Sequence, residues 1–378
     1  MKKYLIVLFS IFPLINISSQ INVKIILHTI PLEDSVKVFI AGSKAQLGNW
    51  DPGAVEMQKV NKTTWSRSFS FKENESIEFK FTLGQWSMEG FEKENQRQSN
   101  YSFTAVNDTA LEYTIKYWGS NSTFKGQITG KLDHYKQFKG KGIHPRDVVV
   151  WLPPDYESDS TKRFPVIYAH DGQNLFNPAT SSTGVDWQID ETADSLIRSG
   201  KIRSMIVVGI YNTISRTKEY SNSDSGYAYM NFIVDELKPF IDSTYRTLTD
   251  RENTATLGSS MGGMISFMLL WEHTDVFSKA ALFSPVFKVW IFDYLPFIEN
   301  YAGPKKNIKF YIDNGGVGLE QQLQPGIDEA VVLLGKKGYL QGTDFIVFYD
   351  KAAEHNEEAW AKRVWRPLMF LFGKEKGD

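Results

Sequence analysis

The feature that most restricts this chain is a change of hydrophobic rhythm near residue 119. Upstream, between Asn22 and Tyr117, apolar side chains alternate with polar ones: Val36, Val38 and Ile40; Ile77, Phe79, Phe81 and Leu83; Leu111, Tyr113, Ile115 and Tyr117. A period of two sends alternate side chains to opposite faces, so these segments read as strands with one buried face. Turn signals at 47–53 (LGNWDPG) and 72–75 (KENE) separate the runs, the spacing suits a sandwich of about 100 residues, and no helix is expected there. Downstream, apolar residues come in unbroken runs at 148–152, 166–169, 206–210, 280–283, 308–312 and 345–348. Such runs suit strands covered on both faces. Helical stretches at 190–199, 229–241, 262–271 and 327–334 lie among them, and this alternation implies a parallel sheet flanked by helices. Residues 119–130 are rich in Gly, Ser, Thr and Asn and read as a linker. The expected organisation is a small all-β sandwich at 20–118, the linker at 119–130 and an α/β domain at 131–378. A chain of 378 residues exceeds one comfortable core, in keeping with two domains.

Residues 1–19 carry Lys2 and Lys3, then an apolar stretch broken by Pro13, then Ser18 and Ser19. This is the order of a secretory signal and is too short for the roughly 20 residues of a spanning helix, so a secreted or periplasmic protein is expected. No later segment is a membrane-span candidate. The chain has no cysteine, so stability must come from burial without disulfides. A formal net charge of −2 offers no basic footprint for nucleic acid. Neither a metal nor a cofactor is expected.

The strongest local motif is Gly258-Ser259-Ser260-Met261-Gly262, a G-x-S-x-G between a short strand and a helix. That context is a nucleophile elbow: the serine sits on a strained turn, and the flanking glycines are expected to prevent backbone collisions. A serine hydroxyl needs a base to take its proton. Of six histidines, His28, His134, His144 and His273 are poorly placed, and His170 precedes the serine in chain order. His355, in the polar loop 353–357, follows it in the order serine, acid, histidine. The acid should lie after the strand 308–312, where Asp313 ends the strand and Glu320 lies farther into the loop; Glu320 is favoured and Asp313 is the alternative. The expected oxyanion donors are the backbone N–H groups of Met261 and Gln173, the latter after Gly172, which allows close backbone approach.

Together Arg146-Asp147-Val148, the stretches 152–156, 170–176 and 258–263, Phe283-Ser284-Pro285 and His355 to Trp360 resemble the esterase family that holds feruloyl and acetyl-xylan esterases, ferric enterobactin esterases and S-formylglutathione hydrolases. The resemblance implies an α/β hydrolase fold over about residues 126–373. In that family the acid follows a short glycine-containing loop, and the longer Gly-rich stretch 314–318 departs from it. Polar and aromatic groups expected around the substrate are Asp186, Trp187, Arg216, Glu219, Tyr220 and Trp360. The segment 36–50, with Trp65 and 78–81, resembles a starch-binding module of carbohydrate-binding family 20. That resemblance implies exposed glycan-stacking groups, with Trp50 and Lys80 matching two positions and Trp86 or Phe91 the third.

The implied activity is hydrolysis of acyl esters, acetyl or feruloyl, on a carbohydrate, with a polysaccharide as the partner of the N-terminal module. Alternatives are a siderophore trilactone esterase, an acyltransferase, and a non-catalytic glycan-binding protein. All three enzymes would share the same triad and differ in pocket shape.

Overall fold

The computed structural model describes residues 20–93, 100–119 and 128–374. Residues 1–19, expected to be a secretory signal, and most of 119–130, expected to be a linker, lie outside the described residues.

The N-terminal domain packs a four-stranded sheet, in the order Gln58–Asn61, Thr64–Lys72, Gln20–Thr29 and Thr109–Ile115, against a three-stranded sheet of Phe39–Gly42, Ser76–Thr82 and Tyr101–Thr104. The period-two pattern has its cause here. In the first strand Val23, Ile25 and Leu27 are fully buried, and they meet Ile40, Ile77, Phe79 and Phe81 from the opposite sheet in one core. The helical content among the described residues of this domain is two short 3₁₀ turns, Ala45–Leu47 and Trp86–Met88.

The second domain is built on an eight-stranded sheet. Its spatial order is Lys131–Phe138, Arg146–Leu152, Ile206–Ile210, Val166–His170, Thr254–Ser259, Lys279–Phe283, Lys309–Gly315 and Phe345–Asp350. The first two pairings are antiparallel and the remainder parallel. The apolar runs are continuous because both faces are covered. Val148, Val150 and Leu152 enter one core, while Val149 and Trp151 enter the other. The strand Lys131–Phe138 has no such run, since it pairs on one side only, and its polar pattern hid it from sequence reading.

From Val166–His170 the chain crosses to Ile206–Ile210 on one side and later returns to Thr254–Ser259 on the other. The loops leaving Val166–His170 and Thr254–Ser259 therefore diverge above the sheet. Crevices of this kind, outside the carboxyl ends of strands at a reversal of strand order, are where open α/β sheets bind ligands.

Two helices differ from expectation. The segment 229–241 contains a π-helical stretch, Phe232–Leu237, between Asp224–Asn231 and Lys238–Thr244. The last helix before the final strand begins at Leu319 and runs to Lys336, well before the expected 327. Pro325 lies inside it, and a proline reads as a helix boundary.

Candidate active site

Ser260 ends the strand Thr254–Ser259 and caps the helix Met261–Glu272 with φ 58° and ψ −124°, a conformation that a side-chain-bearing residue holds only under constraint. The constraint is visible. The Ser260 N–H donates to Phe283 O at 2.9 Å, and its carbonyl accepts from Gly263, Met264 and Val286. A Cβ on Gly258 would lie 2.4 Å from Gly262 O, so this glycine is sterically required. Gly262 is not, because its nearest neighbour would be 3.4 Å away, whereas a Cβ on Gly263 would press on Pro285 at 3.0 Å. The helix that follows is buried along its length except at Glu272, and its N-terminus opens into the cleft.

Ser260, Met261, His355 and Trp360 line a single cleft with Asp171, Asn174 and Arg216. The His355 ring faces Glu320, with Nδ1 3.5 Å from Oε2. Glu320 is fully buried and sits in the first turn of Leu319–Lys336, not in a loop. Burial pushes its carboxyl up. The charge and hydrogen bond of His355, the Ser284 hydroxyl and Arg363 outweigh that and hold it below the usual carboxylate range. The Ser284 hydroxyl donates to Glu320 Oε1 at 2.7 Å and accepts from Trp360 Nε1 at 3.1 Å. The Trp360 indole in turn stands edge-on to His355 at 5.0 Å and 81°.

Asp313 is occupied differently. Arg363 donates to both of its oxygens, at 2.9 and 3.2 Å, the Tyr311 hydroxyl donates at 2.9 Å, and all three side chains are buried. The Gly-rich stretch has a packing reason as well. Cβ atoms on Gly315 and Gly316 would lie 2.3 and 2.4 Å from the carbonyls of Ala353 and Lys351, and the N–H groups of Gly316 and Val317 donate to Ala353 O. The stretch leading into the helix that carries Glu320 thus lies backbone to backbone against the histidine loop.

The loop after Val166–His170 turns at Asp171 (φ 55°) into Gly172–Asn174. A Cβ on Gly172 would meet Gly209 C at 2.4 Å. Asp171 accepts two hydrogen bonds from Arg216, at 2.7 Å each, and one from Asn212 at 2.6 Å. Burial raises its carboxyl, but Arg216 and Asn212 hold it low overall. Asn174 donates to Glu357 at 3.2 Å, which ties this loop to the histidine loop. The Gln173 side chain is turned away from the cleft, its Oε1 accepting from Asn212 N–H at 3.2 Å.

Four expected substrate contacts need correction: Asp186, Trp187, Glu219 and Tyr220 are buried and do not line the cleft. Trp187 is 2% exposed and does not line the cleft; it packs in the core against Phe283 at 4.9 Å and behind Trp360 at 5.5 Å. Glu219 is a buried partner of Arg146, and Tyr220 lies in the core beneath Asp171. His170 is also a core residue, bonded to the Tyr229 hydroxyl at 2.8 Å, and burial pushes it down to about 3. Among the described residues, Asp186, Asp190 and Glu191 form the one group of carboxylates close enough to share a metal ion, with ligand atoms within 4.8 Å of one another. Burial and the neighbouring Glu191 push Asp190 up to about 8 and Asp186 up to about 6, as expected for carboxyls buried beside one another.

The sandwich brings the largest departure. Trp50, Lys80 and Trp86 do not form an outward platform: all three line the same cleft as Ser260 and His355, together with Glu89 and Asn100. Lys80 is buried and paired with Glu89. Phe91 is buried and does not line the cleft. Sequence reading gave no role to Ser284, although Phe283-Ser284-Pro285 had drawn notice, nor to Arg363 or Trp290.

The sheet order, the serine at the strand-to-helix turn and the following histidine define the class as α/β hydrolases. Residues 143–364 match the family described as Putative esterase, and the chain belongs to that family. Residues 20–114 match the Starch binding domain family. The chain is 27% identical over 221 residues to an endo-1,4-beta-xylanase/feruloyl esterase of Xylanibacter ruminicola, an alignment that takes in 57% of this chain and 27% of that relative. A ferulic acid esterase structure superposes with a TM-score of 0.54 at 21% identity, over 65% of this chain and 99% of the other. The ferric enterobactin esterase of Salmonella typhimurium superposes at 0.53 and 12% identity over 89% of this chain and 88% of its own. Both structural likenesses are likenesses of fold.

Proposed function

We propose that this protein is a serine esterase that hydrolyses acyl esters on carbohydrate through an acyl-enzyme. The observation that carries this reading is the alignment of a buried Glu320 on His355 in the cleft where Ser260 is held on its strained turn. In this reaction the Ser260 Oγ attacks the acyl carbonyl carbon while His355 takes the hydroxyl proton. The ester C–O bond then breaks, and the alcohol leaves with that proton. Water, deprotonated by His355, attacks the acyl-enzyme, and the acid and free Ser260 are released. Glu320 holds the imidazole in the productive tautomer and stabilises the imidazolium. The backbone N–H of Met261, at the start of its helix, and that of Gln173 serve the oxyanion, and Arg216 and Trp360 contact substrate.

The feruloyl esterase relative and the match to a starch-binding family support a carbohydrate ester of acetate or ferulate. The same match, with the leader-like residues 1–19, supports export. Among the described residues no helix is long and apolar enough to cross a membrane. A second reading, hydrolysis of a siderophore trilactone, is favoured by the enterobactin esterase superposition, which spans both domains. The deciding experiment measures release of acetate, ferulate and siderophore monomers from a panel of natural esters, with Ser260→Ala as the control. Acid release from sugar esters supports the first reading, and monomer release from the trilactone alone replaces it with the second.

A further inference from the structure

The sandwich makes a wall of the catalytic cleft from three indoles that belong to two domains. Trp50 and Trp86 come from the sandwich and lie 6.3 Å apart. Trp290, from the turn after the strand Lys288–Val289 of the second domain, lies 5.5 Å from Trp50. The interface is bonded on both sides of this wall. Thr217 Oγ1 donates to Trp50 O at 3.2 Å, while Gln322 accepts from Trp290 Nε1 at 3.2 Å and donates to Glu78 at 2.5 Å.

Two further features point to a ligand. Trp50 has φ 64°, following Asn49 at 47°, and a bulky residue is rarely held there without a constraint that matters. Its indole Nε1 is buried and has no hydrogen-bond partner. Beside the indoles stand the buried Lys80–Glu89 pair and the half-buried Asn100, a polar edge to an apolar wall.

Resting on the esterase reading, we infer that the sandwich face carrying Trp50 and Trp86 is the subsite for the sugar on the alcohol side of the scissile ester, and not a tether for a distant polysaccharide. The apolar face of a pyranose stacks on the indoles, and its hydroxyls meet the Lys80, Glu89 and Asn100 groups. Because this face is turned into the cleft, a granular surface has no flat access to it.

The test uses the full chain. Tryptophan fluorescence of Ser260→Ala is titrated with xylo- and malto-oligosaccharides, and kcat/KM is measured for an acetylated oligosaccharide and for p-nitrophenyl acetate with wild type, Trp50→Ala and Trp86→Ala. Oligosaccharide should quench the fluorescence, and the ratio of sugar-ester to p-nitrophenyl-ester kcat/KM should fall about thirtyfold in Trp50→Ala, the scale of an aromatic anchor. Trp86→Ala should shift the same ratio if Trp50→Ala folds poorly, and the intact protein should not sediment with insoluble starch. An unchanged ratio in both variants, no quenching, or starch retention that Trp50→Ala abolishes would each overturn the proposal. Retained activity of Ser260→Ala would instead overturn the serine mechanism, leaving the fluorescence titration to judge the subsite.

Discussion

The two sides of the cleft are built in different ways. On the hydrolase side Ser260, Glu320 and His355 follow three strands of one sheet, Glu320 in the first turn of the helix after its strand, and the residues around them are buried: Ser284, Trp360 and the Asp313–Arg363 pair. On the sandwich side Trp50 and Trp86 sit on turns at 48–53 and 84–89, outside regular strands, and reach the hydrolase through a few side-chain bonds. The difference teaches a division of labour. On the proposed reading, groups that must stay within a fraction of an ångström of a reacting atom are anchored to the rigid sheet, and groups that select the substrate sit on turns that can vary without disturbing it.

That division can be broken first at its catalytic side. Ser260→Ala should lower kcat by several orders of magnitude while leaving the thermal transition in place. A variant keeping a tenth of the wild-type turnover would remove Ser260 as nucleophile. Glu320→Gln should cost about 10³–10⁴ in kcat, because a neutral partner no longer fixes the tautomer or stabilises the imidazolium.

Asp313→Asn tests the same region for the opposite behaviour. It leaves Arg363 buried against a neutral group, so the expected loss is in stability, about 3–5 kcal/mol in denaturant unfolding, with a smaller loss of turnover than Glu320→Gln. The reverse ranking of turnover would make Asp313 the triad acid.

A milder perturbation belongs to the wall. Gln322→Ala removes its bonds to Trp290 and Glu78 and should raise KM for a sugar ester severalfold with little change in kcat. Equal losses in kcat and kcat/KM would mean that the wall takes part in the transition state and would weaken the contrast drawn above.

The smallest effect is expected far from the chemistry, at Asp190. Its carboxyl is raised to about 8 in the folded protein against about 3.9 when unfolded, so the folded state holds an extra proton between those values. Stability should then fall as pH rises across that window. Asp190→Asn, which cannot ionise, should flatten this dependence and raise Tm by a few degrees at pH 8.5 relative to wild type, measured by calorimetry. An unchanged slope of Tm against pH would show that the group titrates normally.

Much of the architecture was legible because burial imposes a period on sequence. The alternation at Ile77, Phe79 and Phe81 is a sheet with one covered face, and the run 148–152 is a strand between two cores. Other elements escaped for equally physical reasons. The edge strand Lys131–Phe138 touches both cores only through partly buried Leu132, Tyr135 and Phe138, with no side chain fully buried, and so carries no apolar run. The helix holding Glu320 was read as a loop because Pro325 interrupts its pattern, and Trp187 was read as a pocket residue because composition cannot tell an aromatic facing a cleft from one stacked behind it.

What the sequence by itself determined was local: two rhythms, an elbow whose Gly258 has no space for a side chain, and one histidine in the order that such a turn requires. Tertiary structure decided what depends on approach between distant segments. It brings the glycines at 315 and 316 against the histidine loop, so that Glu320 and not Asp313 faces His355. It also turns Trp50, Lys80 and Trp86 into the cleft instead of toward solvent. The reason is that periodicity records whether a side chain is buried, through the pitch of its own element, but carries no information about which surface buries it. That choice is made by the fit between the sandwich and the hydrolase, through contacts such as Glu78 with Gln322 that lie 244 residues apart.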